Sequence, residues 1–379
     1  CLNWYLYLDE MPNDPDYDKQ YAWELLNAEE AWDVSHGSAA VTVAIIDSGT
    51  DMDHEDLLAN IWTNSGEIPG NGIDDDGNGY IDDDRGWDFA GNDNNPDNVN
   101  ADNDHGTHVA GIVSAVSNNG IGVSGGSWNC PIMILKVFPN TGGGAAVGDV
   151  VEAMQYAVDN GALVQNLSLG NNQYTQIEAD AVLYAYNAGL AVVCAAGNGG
   201  NDGIGDSTPH YPSAHEGAIG VGSTNRFNEK DGSSNYGEDY VDVFAPGVAI
   251  RSTLPNNDYR NLSGTSMASP VTAALAALIM SNNPGISPDD VLMRLQKGCE
   301  PINTSNPVYR DQLDPGRINY YYSMAETPVI RVEKCVVDDV SGNANHEADE
   351  GETVNLQLYL KNKAWMDASN VQISLAAGS

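Results

Sequence analysis

Residues Val41–Asp47, VTVAIID, form an apolar run that ends in Asp47-Ser48-Gly49. A short β-branched run closed by turn residues is the pattern of a strand buried on both faces. Further runs follow it: Ile132–Phe138 (IMILKVF), Ala162–Ser168 (ALVQNLS), Leu190–Ala196 (LAVVCAA) and Ala218–Gly222 (AIGVG). Between them, Val147–Asn160 and Ile177–Ala188 carry apolar residues at helical spacing and stop at Gly161 and Gly189, the usual helix terminator. Alternation of this kind from Val41 to about Asn282 predicts an α/β fold with a mostly parallel sheet covered on both faces. Reactive groups in such a sheet collect on loops beyond the carboxyl ends of the strands.

Outside this rhythm lie two departures. Asn64–Asp88 is rich in Gly, Asn and Asp and has no periodicity. After a helix at Pro288–Lys297, the chain turns β-rich from about Thr327, with runs at Val329–Val337, Thr353–Leu360 and Val371–Leu375. Three strands cannot close a sandwich, which takes about seven. The expected division is therefore a main domain over 12–326 and an incomplete β-sandwich-like module over 327–379. Residues 1–11 stand apart as a leader, and a start at Cys1 points to a piece of a longer precursor.

Composition narrows the function. In 379 residues, 15 Lys+Arg face 54 Asp+Glu, a net charge of −39. Such a surface repels phosphate backbones and anionic membranes, which excludes nucleic-acid and lipid-surface binding. Two uses of the acidity remain: ligation of hard cations and a solvated shell that maintains solubility. Ala273–Met280 is apolar but far short of the roughly 20 residues that span a bilayer, and fits a core helix. The five cysteines are odd in number and dispersed, with no CxxC pair, so neither a disulfide scaffold nor a zinc site is expected.

Three motifs carry the chemistry. Asp47 ends a predicted strand, Asp104-His105-Gly106-Thr107-His108 opens an apolar helix, and Ser263-Gly264-Thr265-Ser266-Met267-Ala268-Ser269-Pro270 precedes a long Ala/Leu helix. A serine hydroxyl becomes a nucleophile when a neutral imidazole takes its proton, and a buried carboxylate fixes the imidazole's tautomer and stabilises the imidazolium. The order Asp, His, Ser is the subtilisin order and differs from that of α/β-hydrolases and the chymotrypsin type. With VAIIDSGTDMDHEDL from Val43, HGTHVAGIVSA from His105 and SGTSMASP from Ser263, the chain resembles the subtilisin-like serine proteases (subtilases) over about Pro12 to Pro301. The resemblance implies a three-layer subtilisin-like fold in which Asp47 orients, His105 acts as general base and then acid, and Ser266 is the nucleophile. It also implies that Asn198, in Ala195-Ala196-Gly197-Asn198, donates to the oxyanion together with the Ser266 N–H. One departure is Val271-Thr272-Ala273-Ala274, where many relatives have a Val-Ala-Gly step.

By the same resemblance, Ser168, Leu169 and Gly170 form one edge of a peptide-binding groove and Gly142, Gly143 and Gly144 the other, so a substrate would lie between them as an added strand. Backbone pairing reads no side chains, which implies broad specificity. Relatives that cleave after paired basic residues carry acidic groups just past this edge, where this chain has Asn171-Asn172.

The interrupting segment contains DDDGNGYIDDD from Asp74. Counted from Asp74, oxygen ligands fall at Asp74, Asp76 and Asn78, with Gly79 at the turn position and the Tyr80 carbonyl after it, the first half of an EF-hand loop. Position 12 is Arg85, so Asp82 or Asp83 has to close the shell, and Asp83 is preferred. Clustered carboxylates repel one another unless a cation neutralises them, and calcium is the expected ion. A second calcium is implied by the resemblance alone, tying the N-terminal segment to the core through Asp14, Asp56 and the Asn119 side chain, with the Ile121 and Val123 carbonyls. A third, in the acidic tail from Asp338-Asp339 through Asn343, Asn345, Glu347, Asp349 and Glu350, is the weakest of the three.

The leading expectation is a secreted, calcium-stabilised serine endopeptidase acting on polypeptides. The family is made with a pro-segment that aids folding and inhibits the enzyme, and Cys1–Asp9 would be its remnant. The competing expectation is a non-catalytic, calcium-binding surface protein on the same fold.

Overall fold

The computed structural model describes residues 11–98, 104–199, 207–338, 355–365, 369 and 371. After two short helices, α1 (Tyr21–Leu25) and α2 (Ala28–Trp32), the chain enters β1 (Val43–Asp47). Then come β2 (Gly86–Asp88), α3 (His105–Ser114), β3 (Ile132–Lys136), α4 (Val147–Asp159), β4 (Val164–Leu167), α5 (Gln176–Asn187), β5 (Ala191–Ala195), β6 (Ala218–Thr224) and β7 (Val243–Pro246). These strands form one sheet in the order β2-β3-β1-β4-β5-β6-β7, and every pairing in it is parallel.

The strands are buried on both faces, which is why they read as continuous apolar runs rather than alternating ones. Val43 and Ile45 of β1 point into one core layer with Val109 and Ile112 of α3. Ala44 and Ile46 point into the other with Val150 and Met154 of α4 and Ala181 of α5. The expected three-layer α/β architecture follows from this two-sided burial. Helices α4 and α5 end where their glycines predict: Gly161 and Gly189 have φ of 75° and 96°. The following Ala162 and Leu190 N–H groups reach back to the Ala157 and Ala185 carbonyls at 2.9 and 3.1 Å, the backbone closure that satisfies a helix's last carbonyls.

The central element is α6 (Thr265–Asn282), reached through a hairpin of β8 (Ile250–Leu254) and β9 (Asp258–Leu262). From Met267 to Met280 every residue of α6 is buried, as expected of a helix that is apolar all round. The Ala274 position is accommodated from the other side, since a Cβ on Gly126 would stand 2.7 Å from that of Ala274. Helices α7 (Pro288–Lys297) and α8 (Tyr320–Met324) follow. Trp23, Trp32 and Tyr320 then knit both ends of this unit together through edge-on ring contacts.

Strands β10 (Ile330–Asp338) and β11 (Asn355–Asn362) pair antiparallel in a sheet of their own. The third expected strand, Val371–Leu375, lies outside the described residues apart from Val371, as do Cys1–Asp9 and the acidic tail from Asp339 to Glu350. Cys130, Cys194, Cys299 and Cys335 are all free thiols. No helix among the described residues is long and apolar enough to cross a membrane.

Candidate active site

Because the sheet is parallel, the ends of β3, β1, β4 and β5 lie side by side, and the chain runs from β1 to β3 on one side before crossing to β4 on the other. This reversal opens a crevice at the carboxyl ends of the strands. The residues leaving those four strands are the sequence-read candidates: Gly142–Gly144 after β3, Asp47 ending β1, Ser168–Gly170 after β4 and Asn198 after β5.

Asp47 is 1% exposed, and its Oδ1 accepts the Ser48 N–H at 2.7 Å and faces His105 Nδ1 at 2.8 Å. His105 is the first residue of α3. The Ser48 hydroxyl accepts the Gly106 N–H at 2.9 Å, one of the helix-start donors that lack an intrahelical partner. A side chain at Gly106 would collide with the Gly49 carbonyl, so this glycine is what lets α3 start close against the end of β1. Crowding by the protein disfavours a charged His105, but the charge and hydrogen bond of Asp47, aided by Asp104, outweigh it and raise the imidazole pKa above its ordinary value. The His105 side chain stays 35% exposed, so a reactant can reach the ring.

Ser266 is the second residue of α6, where N–H groups point outward and negative charge is favoured. Its hydroxyl donates to the Ser168 carbonyl at 3.2 Å rather than to His105. In return the Ser168 hydroxyl donates to the Ser266 carbonyl at 2.9 Å. The reason lies four residues on: Pro270 has no N–H with which to satisfy that carbonyl within the helix. Ser168 is itself held by the Asn166 amide at 3.0 Å, and Asn166 Oδ1 accepts the Ser269 hydroxyl at 2.8 Å. A buried polar chain thus links the end of β4 to the start of α6.

Asn198 Oδ1 accepts the Thr265 N–H at 2.8 Å and the Thr265 hydroxyl at 3.2 Å. This engages the amide oxygen of a side chain that is itself exposed. Sequence reasoning missed the residue that holds this loop. Asn235, 3% exposed, donates to the Ala196 carbonyl at 2.7 Å and accepts the Gly199 N–H at 2.7 Å, while its own N–H bonds the Gly197 carbonyl at 2.9 Å. Nothing local in Ser233-Ser234-Asn235 marks it, because the contact exists only once β5 and the later loop are folded together.

The acidic insertion folds around its own backbone. Asp74 accepts the N–H groups of Gly77, Asn78 and Gly79. Asp76 and Asp83 come together with Glu67, their carboxylate oxygens within 4.8 Å of one another. Glu67 was not among the sequence-read ligands; its sign is a lone carboxylate seven residues before Asp74. Asp83 is fully buried and receives Asn64, Asn78 and the Tyr156 hydroxyl. The Tyr80 ring packs edge-on against Trp87, Phe89 and Tyr156, anchoring the loop to α4. The carboxylate oxygens of Glu67, Asp76 and Asp83 are donors that suit a calcium ion, whereas Asn78 presents its Nδ2 to Asp83.

The structure also gathers Asp14, Asp56 and Asn119. Asp14 accepts the N–H groups of Asn118 and Asn119 at 2.8 and 3.1 Å. Asp56 accepts the Asn119 side-chain amide at 2.8 Å and the Val123 N–H at 2.9 Å, and the Ile121 N–H bonds Asn119 Oδ1 at 2.7 Å. Burial, opposed by the Val123 and Asn119 hydrogen bonds and reinforced by the charge of Asp14, pushes Asp56 up to about 7.

Residues 38–305 match the model of the subtilase family. The chain belongs to that family. It is 37% identical over 311 residues to thermitase of Thermoactinomyces vulgaris, spanning 82% of this chain and 98% of the relative. It is 34% identical over 319 residues to the halolysin-like extracellular serine protease Nep of Natrialba magadii, spanning 84% of this chain and 54% of the relative. Among solved structures, a protease of Pseudoalteromonas arctica superposes with a TM-score of 0.67 at 29% identity, covering 83% of this chain and 99% of the other. This subtilase is accordingly a serine-type endopeptidase.

Proposed function

We propose that the subtilase is a secreted, calcium-stabilised endopeptidase of broad specificity in which Ser266, His105, Asp47 and Asn198 carry the reaction. The observation that carries the reading is the 2.8 Å pairing of buried Asp47 with His105, at the sheet end where α6 presents Ser266 and exposed Asn198 is tied to α6 through its Oδ1. In the reaction, the Ser266 hydroxyl turns from the Ser168 carbonyl to neutral His105, which takes its proton as Oγ attacks the peptide carbonyl. Asp47 stabilises the imidazolium, and the oxyanion receives the Asn198 Nδ2 and Ser266 N–H donors. His105 then protonates the leaving amine, and water releases the acyl group by the same steps in reverse. The substrate backbone lies along Ser168, Leu169 and Gly170, facing exposed Gly142–Gly144.

Calcium would be held by Glu67, Asp76 and Asp83 with Asp74, Asn78 and the Tyr80 carbonyl, and at a second position by Asp14, Asp56, Asn119 and the Ile121 and Val123 carbonyls. Its contribution is neutralisation of grouped carboxylates. At each position one amide has to turn over, since Asn78 now presents Nδ2 to Asp83 and Asn119 presents Nδ2 to Asp56. The separate two-stranded sheet of β10 and β11 supports a main domain over 12–326 followed by a β-rich module over 327–379. A pro-segment acting as inhibitor, and location outside the cell, belong to the same proposal. The test is labelling by a fluorophosphonate. The expected result is one adduct on Ser266, abolished by Ser266→Ala; folded, calcium-loaded protein that takes no label would favour a non-catalytic, calcium-binding surface protein instead.

A further inference from the structure

Asn71, Asn78, Asn119 and Asn198 are each followed by glycine. Asparagine is among the thermolabile residues, and a glycine after it removes the steric brake on its decay. With no Cβ, the glycine backbone is free to bring its nitrogen onto the asparagine's side-chain carbonyl carbon. The nitrogen gives up its proton to water and bonds Cγ, the bond to Nδ2 breaks, and ammonia leaves. Water then opens the cyclic imide to aspartate or isoaspartate.

In the fold, each of these four glycine N–H groups is donated to a side-chain oxygen. Gly72 bonds Asp82 at 2.9 Å, Gly79 bonds Asp74 at 2.9 Å, Gly120 bonds Asn13 at 2.6 Å and Gly199 bonds Asn235 at 2.7 Å. An acceptor on the proton favours the protonated nitrogen and fixes the direction of the N–H, so each contact opposes the attack. The first three lie on the loops proposed to hold calcium. The fourth stands in the active site.

Asn198 is exposed, so water reaches it. Thr265 places two donors on its Oδ1, the N–H at 2.8 Å and the hydroxyl at 3.2 Å, and donors on a carbonyl oxygen stabilise the charge that attack on its carbon develops. Asn235 acts from the other side, on the attacking nitrogen. It is 3% exposed and is fixed by its bond to the Ala196 carbonyl at 2.7 Å. Gly197 admits it, since a Cβ there would stand 2.7 Å from Asn235 Nδ2. We infer that Asn235 guards the active site chemically: by holding the Gly199 N–H it keeps Asn198 from cyclising, and Asn198-Gly199 is the modification site at which the enzyme ages when that contact opens. Conversion puts a carboxylate where the oxyanion forms. That consequence rests on the reading of Asn198 as an oxyanion donor, whereas the shielding does not.

The test follows all four steps by peptide mapping and mass spectrometry during incubation in mildly alkaline, calcium-containing buffer, with Ser266→Ala in every protein to prevent self-digestion. The reference is a blocked synthetic peptide of the Ala195–Gly200 sequence. Asn198 is expected to convert at least about fivefold more slowly in the folded protein than in the peptide, the factor that the net worth of one hydrogen bond commands. Asn235→Ala should remove most of that protection at Asn198 and leave Asn71, Asn78 and Asn119 unchanged, while Asn235→Asp, which keeps an acceptor oxygen, should retain it. Should Asn235→Ala not fold, the peptide comparison and Asn235→Asp decide. Conversion of Asn198 as fast as in the peptide, indifference to Asn235→Ala, or an equal rise at all four steps overturns the inference. In enzyme that keeps Ser266, kcat should fall in step with the converted fraction while KM of the remainder holds. Conversion that leaves kcat intact overturns the donor role of Asn198 and leaves the shielding standing.

Discussion

The mutual hydrogen bonds of Ser168 and Ser266 make a sharp prediction. Ser168→Ala removes the donor to the Ser266 carbonyl and the acceptor for the Asn166 amide, with no backbone N–H from Pro270 to take over. A buried group left unpaired costs about 1–3 kcal/mol. Asn166 is fully buried while the Ser266 carbonyl is partly so, so the upper range applies to the first and the lower to the second, giving roughly 3–4 kcal/mol in all. In a Pro270→Ala background the restored N–H can bond the Ser266 carbonyl four residues back. The cost of Ser168→Ala should then shrink by about 1 kcal/mol. The assay is a double-mutant cycle by urea unfolding, with every protein carrying Ser266→Ala so that it cannot digest itself; that substitution leaves the backbone carbonyl in place. Coupling below about 0.5 kcal/mol, the ordinary limit of additivity, would refute the claim that Ser168 serves a carbonyl orphaned by the proline.

Asn198→Ala should lower kcat by about 10²–10³ with little change in KM, measured on a chromogenic peptide, because Nδ2 meets charge that appears only in the transition state. The raised pKa of His105 places the acid limb of kcat/KM above the ordinary histidine value of about 6.5. The same shift favours the folded state below that value and is lost as pH rises through the folded pKa, so this stability contribution fades as activity appears; Asp47→Asn should move the limb downward. Calcium at 100 times its Kd should add about 2.7 kcal/mol to unfolding, read as a drop in Tm on chelation, and Asp83→Asn should remove most of the increment from the insertion.

Legibility in the sequence followed the physics of each element. Most of the parallel strands could be read because burial on both faces keeps them largely apolar, Gln165 and Asn166 of β4 apart, while β7, only four residues long, escaped; α4 and α5 could be read because Gly161 and Gly189 close their ends. Gly86–Asp88 escaped notice: three residues inside an acidic insertion have no periodicity, and they become β2 only by pairing with β3. The hairpin escaped for another reason, since β9 (DYRNL) is largely exposed and shows no apolar face. Asp47, His105, Ser266 and Asn198 stood out because each opens or closes an element in a motif. Asn235 acts on a loop remote in sequence, and nothing in its own neighbourhood announces the partner, whereas Glu67 serves its own insertion and shows only as a lone carboxylate ahead of it.

The charge of −39 divides in the folded chain into acids that support backbone and acids that oppose one another. Asp74 receives three N–H groups of its own turn, Asp82 receives those of Asn71 and Gly72, and Glu67 receives those of Asp75, Asp76 and Asp82. Charge-assisted bonds of this kind hold a loop without any cation. The carboxylates of Glu67, Asp76 and Asp83 nevertheless converge, and Asp83 is fully buried beneath α4, where screening is weakest. Chelation should therefore act at this convergence rather than on the turns around it. Neutralising Asp83 should relieve repulsion in calcium-free protein while lowering calcium affinity, whereas Asp74→Asn should weaken the turn in both states. Opposite signs for these two substitutions without calcium would separate ligation from loop architecture, and equal destabilisation by both would refute the division.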